Sequence, residues 1–228
     1  MPRIADNLAR VRDSIAVAAE RSGRTADSIT LVAVTKLASV AAARELVLAG
    51  CTNLGEGRPQ ELWNKHAALS DLPIRWHLVG HLQRNKVERT LPLVSLIHSV
   101  DSLRLLQAIN AGAENLGRVV PVLLEVNISG DAAKHGFSPE ETSVRFAEAI
   151  GFKHVEMRGL MGMASLEGDM ATARREFQRL RQLRDQLAPL PGGERLKELS
   201  IGMSGDFEVA IEEGATIVRI GSALFEES

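Results

Sequence analysis

Lys36 is the first residue whose placement suggests chemistry. Of the six lysines it alone directly ends an apolar strand-like run, LVAVT at 31–35, so its ammonium would project from a strand end rather than snorkel from a helix face. A lysine drawn partly out of water has a depressed pKa and becomes an amine nucleophile, the requirement for a Schiff base with a carbonyl compound. The alternative at this position is an ion pair with a carboxylate such as Glu56. A second cluster runs from Ser200 through Met203, Ser204 and Gly205 to Asp206, and Arg219, Gly221 and Ser222 end the next apolar run. Ser204 can cap the helix that follows it and offer its hydroxyl to a phosphate oxygen, while Gly205 and Gly221 let backbone amides approach an anion. Arg219 is the only charged side chain in TIVRIGSALF, which assigns it to a polar cavity. An amine and a phosphate cradle together suggest a phosphorylated carbonyl ligand, either pyridoxal phosphate or a sugar-phosphate aldehyde. In the first case Arg219 is a partner for the ring nitrogen.

Other constellations carry less. His77 and His81 share parity on one run, but no third ligand lies near them in sequence, so no metal site is expected. Ser99, Asp101 and Ser102 read as a helix start, and no G-x-S-x-G elbow exists. Arg174, Arg175, Arg179, Arg181 and Arg184 read as a solvated helix face.

Positioning these groups requires elements in alternation. Ile4, Leu8, Val11, Ile15 and Ala18 recur at helical spacing and predict a leading helix within residues 1–23. Short β-branched runs follow at 29–35, 52–55, 74–80, 94–100, 119–127, 155–161, 199–203 and 216–221. Helix-like segments lie between them at 39–48, 59–69, 85–91, 102–116, 139–150, 169–187 and 205–213. Alternating βα units imply a parallel sheet. The first run ends in TKLAS without a G-x-G-x-x-G loop, so eight strands favour a (β/α)8 TIM barrel over a doubly wound sheet. At 228 residues one such barrel, 1–228, uses the whole chain. Function then belongs at the strand C-termini: Lys36, Glu56, Gly80 with His81, Asn127 with Ser129, Met161 and Met163, Ser204 with Gly205, and Arg219 to Ser222.

Composition narrows the partners. Lys and Arg number 27 against 29 Asp and Glu, too balanced for a nucleic-acid-binding face. No apolar run approaches the length of a membrane span, and residues 1–24 lack the apolar core of a signal peptide. The single cysteine, Cys51, cannot form an internal disulfide, so a reducing cytoplasm is expected.

The segments AVTK (33–36), NLGEGRPQE (53–61), WHLVGHLQRNK (76–86), IHSVDS (97–102), VNISGDAAKHGF (126–137), RGLMGMA (158–164) and the run from Leu199 to Phe225 resemble the pyridoxal phosphate homeostasis protein family. That family's fold is similar to the N-terminal barrel of alanine racemase. The resemblance implies that Lys36 carries pyridoxal 5'-phosphate as a Schiff base, that Ser204, Gly221 and Ser222 hold the phosphate, and that Arg219 neighbours the pyridine ring. Met203, Gly205, His81 and Asn53 complete the cofactor-binding set it suggests. It also implies a non-catalytic role in cofactor homeostasis. A monomer with transient contacts to apo-enzymes is expected. The alternative is an amino-acid racemase or related pyridoxal phosphate enzyme, with His81 or Lys134 as a base. Against it, alanine racemase uses a tyrosine from a second domain, and this chain has no tyrosine. One departure is Gly57, where the family commonly has Asn.

Overall fold

In the computed structural model, which describes residues 3–131, 134–165 and 167–226, all eight apolar runs form strands. They are β1 (Thr30–Val34), β2 (Asn53–Glu56), β3 (Arg75–Leu78), β4 (Leu96–Val100), β5 (Val120–Glu125), β6 (Val155–Met161), β7 (Glu198–Ser200) and β8 (Ile217–Ile220). Each pairs in parallel with its sequence neighbour, and β8 returns to β1 through Thr30–Ile217 and Ala33–Ile220, closing the expected barrel. The helices are α1 (Arg3–Arg21), α2 (Val40–Leu48), α3 (Pro59–Ala68), α4 (Val87–Thr90), α5 (Leu103–Asn115), α6 (Pro139–Ala149), α7 (Met170–Leu187), α8 (Phe207–Glu212) and α9 (Ser222–Phe225).

Local signals explain the boundaries. Ser39, Ser102 and Asp169 accept backbone N–H groups at the starts of α2, α5 and α7, satisfying donors that have no intrahelical partner. At α6, Ser138 and Glu141 form a reciprocal capping box ahead of Pro139. Leaving α2 and α8, the chain turns at Gly50 and Gly214, with φ of +90° and +99°, where a side chain would be strained.

Two cores result. Outward residues of the strands, such as Leu54, Leu78, Leu124, Leu199, Val218 and Ile220, pack beneath the helices, whereas Val32, Leu96, Leu123, Met161 and Ile217 form a separate cluster inside the barrel. The apolar stripe of α1, with Leu8, Val11, Ile15 and Ala18 buried, packs across α8 and α9. There the Asn7 side-chain amide donates to the Leu224 carbonyl at 3.1 Å.

Three expectations are revised. The segment 85–91 is not one helix but the single turn α4 between 3-10 turns at Arg84–Lys86 and Leu91–Leu93, and Pro92, without an N–H, removes the bond to the Glu88 carbonyl that would carry α4 onward. β7 is three residues long, and residues 201–203 lead into the loop instead. α8 begins at Phe207, not 205, because the Asp206 carboxylate accepts the Met203 N–H at 2.6 Å and holds 203–206 as a turn.

Candidate cofactor site

A cavity of about 830 Å³ opens at the C-terminal ends of the strands, within the size range of small-molecule sites. Its wall includes Lys36 and Leu37 after β1, Gly57 after β2, Gly80 and His81 after β3, Glu125 ending β5, and His135 and Met163 beyond. Met203, Ser204 and Gly205 follow β7, and Arg219, Gly221 and Ser222 come from β8 and its end. Eight of the nine residues singled out from the sequence therefore meet in one cavity. Asn53 does not: it starts β2, at the opposite end of that strand from the mouth.

Lys36 is held from behind. Thr35 donates its N–H to the Gly55 carbonyl at 2.9 Å and its hydroxyl to Glu56 Oε1 at 2.5 Å. Lys65, reaching in from α3, donates its ammonium to Glu56 Oε1 at 2.7 Å and to the Thr35 carbonyl at 2.5 Å. Glu56 thus pairs with Lys65, not with Lys36 in the mouth. Glu56 Oε2 is buried without a hydrogen bond. Lys36 itself is exposed, so the partial desolvation expected of it is absent. A Cβ at Gly57 would sit 3.9 Å from Lys36 Cδ, placing any larger residue there against the lysine stem.

Ser204 does not cap α8. Its Oγ accepts the N–H groups of Gly221 at 3.2 Å and Ala223 at 3.4 Å, tying the loop after β7 to the loop after β8. These are donors that a phosphate oxygen would use in the same place. A Cβ on Gly205 would meet nothing within 4 Å, so that face of the cradle is open. The hydroxyls of Ser204 and Ser222, these two N–H groups, the Lys36 amine and the Arg219 guanidinium fit an anionic phosphate ester bearing an aldehyde.

Arg219 is buried and donates to the Ser200 carbonyl and Oγ, both at 2.7 Å, and to the Gly162 carbonyl at 3.2 Å. Burial lowers its pKa to about 10, opposed by Asp206 and Glu125, so it stays a fixed cation at neutral pH. Behind it runs a chain of polar groups that no sequence spacing announced. His98 Nδ1 lies 2.8 Å from Ser200 Oγ, His98 Nε2 lies 2.9 Å from His77 Nδ1, and His77 Nε2 lies 3.3 Å from Asn53 Oδ1. One proton arrangement satisfies every link: Arg219 donates to Ser200, Ser200 to His98, His98 to His77 and His77 to Asn53, with both imidazoles neutral and protonated on Nε2. Burial agrees, pushing His77 down to about 4 and His98 well below its ordinary value. Asn53 therefore reaches the site only through this relay.

Two further cavity residues escaped the sequence reading. Glu125 is raised to about 7, by burial first and the charge of Asp101 second, with His135 and Arg219 opposing. The signal that could have found it is the one that found Arg219, a lone charge within the apolar run VPVLLEV. His135 stacks on His81, with ring centroids 4.7 Å apart. Asn127 and Ser129, also expected at a strand end, instead bond within their own turn: Asn127 Oδ1 accepts from Ser129 Oγ and the Gly130 N–H.

A closed parallel barrel with a cavity at its strand C-termini, an amine after β1 and loops after β7 and β8 whose N–H groups meet at Ser204 has the layout of a (β/α)8 protein with its site at the mouth. The sequence pattern of the family described as "Alanine racemase, N-terminal domain" matches residues 7–228. A pyridoxal phosphate homeostasis protein of Aquifex aeolicus is 40% identical over 222 residues, covering 97% of each chain. One from Pseudomonas aeruginosa is 41% identical over 230 residues, covering 99% of this chain and 96% of its own. The structure of PipY from Synechococcus elongatus with pyridoxal phosphate bound superposes with a TM-score of 0.87 at 35% identity, covering 98% of this chain and 100% of that one. The chain belongs to the alanine racemase N-terminal-domain family and, within it, to the pyridoxal phosphate homeostasis proteins.

Proposed function

We propose that this protein binds pyridoxal 5'-phosphate in the barrel mouth and serves its homeostasis, holding the cofactor without turning over a substrate. The observation that carries this reading is the convergence in one cavity of the Lys36 amine, the β7 and β8 loops bridged by Ser204, and the Arg219 guanidinium. The names of the relatives and the cofactor in PipY support it.

Bound there, the cofactor supplies an aldehyde carbon on an aromatic ring with a phosphate handle. Lys36 supplies the amine that condenses with that aldehyde as a Schiff base, losing water. Ser204 and Ser222, with the N–H groups of Gly221 and Ala223, hold the phosphate, while Met203 and Gly205 flank it and His81 stands at the rim. Arg219 faces the ring nitrogen as a permanent cation that keeps it unprotonated, weakening the electron sink that carbanion chemistry needs. Three contacts, to the Ser200 carbonyl and hydroxyl and the Gly162 carbonyl, hold the guanidinium in place, which supports this reading. Residues 1–228 act as one cofactor-binding domain, a cytoplasmic monomer that meets apo-enzymes only transiently. Among the described residues no helix is long and apolar enough to cross a membrane.

The test is the visible absorption of the purified protein with pyridoxal phosphate, for wild type and Lys36→Ala, followed by borohydride reduction and peptide mass mapping. A band fixed by reduction at Lys36, and transfer of cofactor to an apo-enzyme that Lys36→Ala loses, is the expected result. Labels scattered over surface lysines, or transfer unchanged by the substitution, would overturn the reading.

A further inference from the structure

His81, Asp101 and His135 come from three different connections, after β3, after β4 and between β5 and α6, yet the structure gathers them together, with the two histidines lining the cavity and Asp101 beside them. His81 Nδ1 lies 2.8 Å from Asp101 Oδ2, and His135 Nδ1 lies 3.8 Å from the same oxygen. One donor atom from each lies within 4.8 Å of the other two. The Asp101 side chain is only 9% exposed, and its ion-pair partners among the described residues are these two imidazoles, with no lysine or arginine. The two rings are stacked, 19° from parallel.

From this geometry we propose that His81, Asp101 and His135 form a site for a borderline-soft divalent cation of the zinc, cobalt or nickel class, on the wall of the cavity that holds Lys36. Two imidazoles and one carboxylate suit these ions, whereas calcium and magnesium require oxygen donors throughout. Three protein ligands leave at least one coordination position for water or for an anionic or amine ligand in the cavity, unlike a closed structural site. Bonds of about 2.0–2.1 Å to a tetrahedral ion bring donors to about 3.3 Å from one another. Reaching that spacing would take rotation of the two imidazoles, whose side chains are 44% and 65% exposed, about the nearly buried Asp101, widening the 2.8 Å separation and shortening the 3.8 Å one. His81 therefore acts as a cation ligand at the rim in addition to lining the cavity. The site needs no pyridoxal phosphate, so it stands or falls apart from the proposed function.

The experiment uses the full, tag-free chain, stripped of cofactor and metal, titrated with Zn²⁺ by calorimetry and with Co²⁺ by visible absorption. One saturable equivalent is expected, with a rise in Tm, and affinity is expected to fall at least tenfold in His135→Ala and in Asp101→Asn. His135 is exposed, so its variant should keep the fold, which a Tm without metal checks. Lys36→Ala should bind the cation as wild type does, separating this site from the amine. No saturable binding, or equal binding in His135→Ala and Asp101→Asn, overturns the proposal.

Discussion

Lys65 governs the setting of Lys36 although it never enters the cavity. Its ammonium ties the Thr35 carbonyl to the buried Glu56 carboxylate, so Lys65→Met leaves that charge uncompensated and should cost about 3–5 kcal/mol in urea unfolding. Adding Glu56→Gln to the same chain should recover most of the loss, because the orphaned charge is then gone. The relay behind Arg219 makes a second prediction. His77 ionises in the unfolded chain at its ordinary 6.5 but in the fold only near 4. As pH falls through that window the unfolded state gains the proton first, so stability drops by about 3 kcal/mol, a slope that His77→Gln should flatten. Glu125 acts in the opposite sense. Raised from 4.5 to about 7, it holds a proton in the fold that the unfolded chain has released, so its contribution is lost as pH rises. Glu125→Gln should therefore gain up to about 3 kcal/mol over wild type between pH 4.5 and 7, measured by denaturant unfolding. Of these residues, Lys36 and Arg219 could be read from the sequence because each is a charge at an apolar strand end. Lys65 could not, since on α3 it resembles any surface lysine.

Among the elements, the loops that follow β2 and β3 are tightly interlocked. A Cβ on Gly80 would lie 2.1 Å from the Gly57 carbonyl oxygen, which is backbone and cannot yield. Gly80→Ala should therefore separate the two loops, at a cost of about 1–3 kcal/mol or more, and lower Tm. It should also weaken pyridoxal phosphate binding, measured by absorption titration, because Gly57 borders Lys36 and His81 follows Gly80. The helix ends were legible because caps, prolines and glycines act through neighbouring residues. The start of α8 was not, since the Asp206 side chain redirects the backbone through a bond to the Met203 N–H that hydrophobic periodicity does not encode.

For the molecule as a whole, the closed barrel puts the cavity over an interior in which the apolar cluster of Val32, Leu96, Leu123, Met161 and Ile217 lies beside the buried Arg219 and its polar relay. If retention rather than turnover is the task, incubation with a panel of amino acids in deuterium oxide should show no exchange at the α-carbon by mass spectrometry. Exchange dependent on His81 would point instead to a racemase-like reaction. The βα alternation, the eight strands, the leading helix and the strand-end lysine were legible along the chain, because period, caps and isolated charges are local properties. Tertiary structure alone decided which residues of each strand face inward. In a parallel barrel both faces of a strand are buried, so its apolar run carries no alternation that marks the inner side. It also decided the long-range partners: His98 bonds Ser200 across 102 positions, Asn53 ends a relay instead of lining the mouth, and His81 meets Asp101 and His135. Barrel closure brings these groups together, and their separation along the chain leaves no spacing by which to recognise them.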